Sequence, residues 1–207
     1  KKEFNLLSQL SQQLNEGNLI IDMNLSSEDR FKLKSFSLLT SKPIIYVANI
    51  GDDDLLDMNN IHYEKLLKLA QEKDKSLLAL SGSIEMEIST MPPEDQTEYL
   101  KEFGLKESGL NKMIRHAYKI LNLETFFTAG PKEIRAWSIL KGSKAPAAAG
   151  VIHSDFERGF IKAEIYNIED LEQHKSEEEI KSAGKLRQEG KEYTVNDGDI
   201  IFFKFNV

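Results

Sequence analysis

The residues best suited to chemistry lie in two short strings, each directly after an apolar run. Ile44-Ile45-Tyr46-Val47-Ala48 runs into Asn49-Ile50-Gly51-Asp52, and Leu77-Leu78-Ala79-Leu80 into Ser81-Gly82-Ser83-Ile84-Glu85. An asparagine amide carries a donor and an acceptor on one planar group, so it can meet a purine edge or clamp a neighbouring loop. A carboxylate three residues on can accept from the N–H donors of a base. Small residues at Ser81 and Gly82 let a backbone N–H approach a flat ring, and Ser83 can cap the helix that follows. Each string alone also has a plain structural explanation: an Asx-turn for Asn49-x-x-Asp52, a strand-to-helix turn for Ser81-Gly82. Together, at equivalent places in adjacent units, they point more firmly to a binding site.

Other chemistry is thinner. His62, His116, His153 and His174 are scattered, with no His-x-x-x-His spacing, so no metal site is expected. There is no GxxxxGK[ST] loop and no Gly-x-Ser-x-Gly elbow, and no catalytic residue is assigned. Lys141-Gly142-Ser143-Lys144 resembles the tail of a phosphate loop, but Trp137 stands where that loop needs glycine, and the string reads as a β-turn. Lys132, Arg135, Lys141 and Lys144 place four cations within thirteen residues. They are a candidate RNA or ribosome contact, with ordinary surface charge as the alternative.

These strings need elements to hold them. Phe4, Leu7, Leu10 and Leu14, with polar residues between and Gly17 after, predict an amphipathic helix over 3–16. Its narrow stripe suits an antiparallel two-helix arm. Ser26-Ser27-Glu28-Asp29 reads as an N-cap with an acidic first turn, and Leu33, Phe36 and Leu39 continue that helix until Pro43 ends it. The two apolar runs read as strands buried on both faces of a parallel sheet. Between them lie a polar loop, Asn49 to Asn60, and a helix over about 61–72. Further helices are predicted at 83–89, 93–103 and 109–121. Strand, loop and helix in repetition mark a doubly wound α/β domain, whose ligands sit at the carboxyl ends of the strands.

Beyond Leu123 aromatic and β-branched residues predict strands at 125–129, 133–140, 160–166 and 200–205, with short helices at 145–151, 168–173 and 176–183. Gly130, Gly159 and Gly198 are expected at positive φ. Asn196-Asp197-Gly198-Asp199 is expected to form a hairpin-like turn, and Glu177-Glu178-Glu179 a solvated helix face. The boundary between the two parts falls near Asn122.

Composition excludes whole classes. The 207 residues hold 27 Lys+Arg against 34 Asp+Glu, a net charge of −7, which rules out a body that coats nucleic acid. Residues 1–122 carry 15 cations against 19 anions and residues 123–207 carry 12 against 15, so any RNA contact must be a small patch near 132–144. The absence of cysteine excludes disulfide frameworks, thiolate zinc sites and a cysteine nucleophile. No apolar stretch follows Lys1-Lys2-Glu3-Phe4, and no apolar run approaches the ~20 residues of a membrane span. A cytoplasmic protein without membrane or DNA partners is expected.

Several strings together resemble the Obg-like ATPase (YchF) family, a branch of the P-loop NTPases. They are Leu39-Thr40-Ser41-Lys42-Pro43, Tyr46-x-x-Asn49, Phe126-Phe127-Thr128-Ala129-Gly130-Pro131, Arg135-Ala136-Trp137, Ile152-His153-x-Asp155-Phe156-Glu157-x-Gly159-Phe160-Ile161-x-Ala163-Glu164, and Asp197-Gly198-Asp199 with Phe203-x-Phe205-Asn206. The resemblance implies an α/β fold: part of a doubly wound P-loop NTPase domain over 26–122, preceded by the returning helix of a coiled-coil arm over 1–25. A β-grasp, ubiquitin-like TGS domain would occupy 123–207. Asn49-Ile50-Gly51-Asp52 then falls on the base-specificity motif, with Asp52 where the family usually has glutamate, and Ser81-Gly82 on the second base-contacting loop. Asn49, Ile50, Asp52, Ser81 and Gly82 would form the base pocket. Guanine offers a fixed carboxylate a pair of N–H donors that adenine lacks, so an altered motif relaxes guanine preference toward ATP.

The family's Walker A loop, magnesium-binding threonine, Asp-x-x-Gly switch and catalytic histidine have no counterpart in these residues. The resemblance therefore implies the C-terminal part of a ribosome-associated ATPase that uses ATP with Mg2+ and a catalytic N-terminal half of the same protein. This chain alone is expected to hydrolyse nothing and to bind nucleotide weakly. The alternative is a non-enzymatic, TGS-type module that binds RNA or protein.

Overall fold

A computed structural model describes residues 2–57, 60–130 and 133–206. The fold is mixed α/β, and the chain divides into two compact units, Lys1–His116 and Ala117–Val207.

The first unit opens with α1 (Lys2–Asn15). Leu10 is its buried residue, packed with Ile20 and Leu33, while Phe4, Leu7 and Leu14 stay exposed. Ser26 caps α2 (Ser27–Leu33), its hydroxyl accepting from Asp29 N at 3.1 Å. The helix does not continue to Pro43. It tightens into a 3₁₀ turn, Lys34–Phe36, and stops at Ser37, whose φ of 49° is left-handed. That conformation ends a helix, and Leu39, left exposed beyond it, has no core to reach.

β1 (Ile45–Asn49) and β2 (Ser76–Leu80) pair in parallel from Ile45↔Ser76 to Asn49↔Leu80. Between them the expected loop contains a helix, α3 (Asp52–Asp57), whose first turn is three aspartates facing the positive end of the helix dipole. α4 (Ile61–Glu72) follows, capped by Asn60, whose Oδ1 accepts from His62 N and Tyr63 N. After β2 come α5 (Gly82–Thr90), α6 (Pro93–Glu102) and α7 (Gly109–Ile120). Ile84, Ile88 and Leu100 form the core beneath them. Burial of the strands on both faces does not hold: the sheet has two strands, and Val47 is 43% exposed on its uncovered face.

The second unit is a five-stranded sheet in the order β4-β3-β7-β5-β6. Its elements in chain order are β3 (Leu123–Ala129), β4 (Ile134–Leu140), α8 (Ala145–Ile152), α9 (Ser154–Arg158), β5 (Phe160–Asn167), α10 (Ile168–His174), α11 (Glu177–Ser182), β6 (Arg187–Glu189) and β7 (Asp199–Phe205). β3 and β4 form an antiparallel hairpin. The last strand, β7, lies in the middle, parallel to β3 and antiparallel to β5. Alanines at 145, 148 and 149 let α8 sit close on Phe126, Ile139, Ile165 and Phe203. On the other face Phe127 and Ile200 pack with Tyr166 and Ile180.

Two expectations fail here. Asn196 to Asp199 does feed the last strand but is not a hairpin, because β6 pairs with β5 and β7 lies between β3 and β5. Gly130 and Gly159 are not left-handed, whereas Gly198 has φ +81°. Gly159 is needed for space: a Cβ there would overlap the Asn206 carbonyl oxygen.

The turn before β7 is held by a buried carboxylate. Asp199 is 1% exposed and accepts from Tyr193 Oη at 2.7 Å and Asn196 N at 2.9 Å, with Arg187 Nη2 at 3.8 Å. The guanidinium also lies 5.5 Å from the Tyr193 ring centre. Burial, then the hydrogen bond to Asp199, pushes the Tyr193 phenol up. Asp197 accepts from Thr125 N at 2.7 Å, tying the same turn to β3.

Candidate functional site

Parallel pairing puts the ends of β1 and β2 side by side, so Asn49 and Ser81 emerge together. Ile50 N donates to Leu80 O at 3.0 Å and carries the pairing one residue past β1. Gly82 N donates to Asn49 Oδ1 at 2.9 Å, clamping one loop to the other. A Cβ at Gly82 would come within 3.3 Å of that same oxygen, so glycine leaves the clamp uncrowded.

Asp52, at the start of α3, completes the group. Its Oδ1 accepts from the hydroxyls of Ser81 and of Ser83, the latter at 2.6 Å. The two hydroxyls are themselves 2.8 Å apart. Ser81 is 1% exposed and also caps α5. The Ser81 hydrogen bond, followed by that of Ser83, holds the Asp52 carboxyl below its ordinary range. Asn49, Ile50, Asp52, Ser81 and Gly82 are thus brought together at the carboxyl ends of the two strands. Ser83 joins them as a second donor to Asp52. Its signal in the sequence was the Ser-x-Ser spacing, which reads equally as helix capping.

A second support comes from α5, and no motif in the sequence marks it. Glu85 in α5 accepts from Gly109 N at 2.5 Å and from Leu110 N at 3.0 Å, so its carboxylate occupies the N-terminus of α7. Gly109 is crowded: a Cβ would lie 2.7 Å from Leu80 Cβ and 2.9 Å from Glu85 Oε1. The strand end that carries Ser81 is thereby locked between two helices.

The candidate cations are arranged differently. Lys132 lies outside the described residues. Arg135 pairs with Glu133 at 3.0 Å and stands 5.1 Å from the Trp137 ring centre. Lys141 pairs with Glu124 at 3.1 Å, and Lys144 donates to Glu192 O at 2.6 Å and Thr194 Oγ1 at 3.1 Å. Arg135 and Lys141 flank the two ends of β4, roughly 20 Å apart at ~3.3 Å per residue. Beside Arg135 a groove of about 420 Å³ is lined by Trp137, Ile152, Phe156 and Phe205. Phe156 and Phe205 stack in it at 3.8 Å between ring centres. Among the described residues no group of three His, Asp or Glu could hold a metal ion, and no helix is long and apolar enough to cross a membrane.

Comparison with known proteins gives concordant matches. A profile described as YchF-GTPase_C, a protein of unknown function (DUF933), matches residues 123–206. The ribosome-binding ATPase YchF of Escherichia coli O157:H7 is 41% identical over 207 residues, all of this chain and 56% of that protein. Obg-like ATPase 1 of Xenopus laevis is 46% identical over 176 residues, 84% of this chain and 44% of that protein. The solved structure of the Schizosaccharomyces pombe YchF GTPase superposes with a TM-score of 0.82 at 36% identity, over 98% of this chain and 54% of that one. The chain spans about half the length of the relatives it matches.

Proposed function

Because the chain belongs to the YchF family and corresponds to the C-terminal part of its members, we propose that it supplies the base-recognition side of an ATP-hydrolysing, ribosome-associated protein. The observation that carries this reading is the joined pair of strand ends. Gly82 N fixes Asn49 Oδ1 at 2.9 Å, and the amide Nδ2 donates to no described residue. The Ser81 and Ser83 hydroxyls hold Asp52 Oδ1, and Asp52 Oδ2 accepts from no described residue. A fixed donor beside a fixed acceptor suits the N7 and N6–H2 edge of adenine. ATP with Mg2+ would take its phosphate contacts from the other half of the protein, since the 207 residues hold no phosphate loop.

On this reading residues 1–25 are the returning helix of a coiled-coil arm, 26–122 the last part of the nucleotide domain, and 123–207 a β-grasp TGS domain that docks on the ribosome in the cytoplasm. The central β7, parallel to β3 with α8 packed across the sheet, supports a β-grasp arrangement. Docking through Arg135, Lys141 and Lys144 would have to displace Glu133, Glu124 and the Glu192 carbonyl from them. A Lys141→Glu/Lys144→Glu variant that still co-sediments normally with ribosomes would end that part of the proposal.

Calorimetric titration tests the base pocket. The 207 residues alone should bind ATP weakly and hydrolyse none. In the protein carrying its phosphate-binding half, Asn49→Ala should weaken ATP by about tenfold, the value of one well-made base contact. Tight ATP binding by this chain alone, or unchanged affinity in both Asn49→Ala and Asp52→Ala, refutes the assignment.

A further inference from the structure

We infer that the free edge of β4 pairs with β4 of a second copy, antiparallel, across a two-fold axis at Trp137. The two edges of the second unit's sheet are guarded very differently. β6 is three residues long and carries Arg187 and Glu189, a short charged edge of the kind that discourages pairing. β4 is seven residues, contains no proline, and follows β3 without a register shift. Its alternate residues Ile134 and Leu140 are 77% and 62% exposed.

The hydrogen bonds of the hairpin fix which groups are free. Gly130 N donates to Glu133 O at 2.9 Å and Lys141 N to Asn122 O at 2.8 Å. By alternation Glu133, Arg135, Trp137, Ile139 and Lys141 turn their backbone groups toward β3. Ile134, Ala136 and Ser138 therefore present N–H and C=O to the open side, and Leu140 its N–H, its carbonyl accepting from Ser143 N at 3.0 Å and Ser143 Oγ at 2.6 Å. A second antiparallel β4 satisfies all of these except the Ile134 N–H, which stays with water, when the four residues face one another.

Charge selects the register. Centred on Trp137, the pairing sets Ile134 opposite Leu140 and Ala136 opposite Ser138, with Leu140 N–H donating to Ile134 O of the second copy. The same register places Glu133 opposite Lys141 of the second copy, twice by symmetry, as non-hydrogen-bonded pairs where side chains come closest. Shifting the centre to Ser138 sets Arg135 against Lys141, and shifting it to Arg135 sets that residue against itself. One strand edge is small beside a standard interface, so the association is expected to be weak and concentration-dependent.

Sedimentation of the 207-residue chain from micromolar to millimolar concentration is the test, with the fluorescence of the only tryptophan as a local reporter. The expected result is a reversible dimer whose formation changes Trp137 emission. Lys141→Glu should weaken it about tenfold by setting like charges opposite in two places, Glu133→Lys should do the same, and the double exchange should recover most of the loss. Ala136→Pro, which removes only an outward N–H, should abolish it while the monomer stays folded. The charge variants alter exposed side chains and keep the question decidable if the proline variant unfolds. A chain that stays monomeric at millimolar concentration overturns self-pairing and leaves the edge to a strand of another protein. A dimer indifferent to Lys141→Glu, or a double exchange that fails to recover, overturns it equally.

Discussion

Replacing Asp199 by alanine should destabilise the second unit by about 3 kcal/mol. The carboxylate is buried and accepts two short hydrogen bonds, from Tyr193 Oη and Asn196 N. Hydrogen bonds to a charged group contribute roughly 1.5–3 kcal/mol each, and truncation leaves both donors in a half-buried corner without a partner. Arg187 adds little, because its side chain is 45% exposed and regains water once released. The two losses share one corner and are not additive, which sets about 3 kcal/mol as the central expectation. For a unit of about 90 residues that corresponds to a fall in Tm of roughly 12–24 °C. Asp199→Asn keeps the shape and an acceptor while losing the charge, and should cost about half as much. Urea unfolding followed by Trp137 fluorescence is the assay, since the chain's only tryptophan lies in this unit and reports on it alone. A loss under about 1 kcal/mol in Asp199→Ala, with an unchanged m-value, would show that the network does not hold the turn.

Further outcomes can be checked alongside. Gly159→Ala drives a methyl into the Asn206 backbone and should cost about 1–3 kcal/mol in the same unfolding experiment; a neutral result would show that the end of β7 yields freely. Gly109→Ala should push Glu85 off the N-terminus of α7, read as lost protection of the Gly109 and Leu110 amides in hydrogen exchange. Asp52 should titrate below 3.8 by NMR, and Ser81→Ala/Ser83→Ala should return it toward that value. Because its folded pKa is depressed, the stability Asp52 contributes is present above 3.8 and lost as pH falls through the folded midpoint. Tyr99, whose hydroxyl donates to Glu87, should ionise only near about 12, so its contribution is full below 10 and is lost as pH rises toward 12. Loss of one late-titrating phenol in Tyr99→Phe confirms the assignment; an unchanged absorbance titration denies it.

What was legible in the sequence was whatever local spacing dictates. The cap at Ser26, the helical stretches of α4 to α7 and the β-branched and aromatic runs in β3 and β5 placed their elements within a few residues, although the cap of α5 is Ser81 and not Ser83. The errors came where tertiary context decides. Three aspartates after Gly51 look like a loop until the helix dipole they complement is formed. Leu39 looks like one more turn of helix until no core is found for it. Gly159 cannot announce a clash with Asn206, which comes from 47 residues away. Within the site, Asn49 and Ser81 stood out because strand ends are where ligands collect, but that Ser83 shares Asp52 Oδ1 required the geometry of α3 against α5. The cations near Lys141 are spread for the opposite reason: Arg135 lies near the start of β4 and Lys141 just past its end, each paired with a glutamate.

The central place of β7 governs the order in which the second unit can assemble. β3 and β4 close locally, and β5 with β6 across a short helical excursion, but no strand pairing joins these two pieces until the final strand arrives between them. Phe127 waits for Ile200 across about 70 residues of chain. At ~5–20 residues per second of synthesis, the first hairpin spends several seconds with its inner edge open as well as its outer one. During that interval Phe126 and Phe127, on opposite faces of an uncovered hairpin, are the most adhesive surface the nascent unit displays.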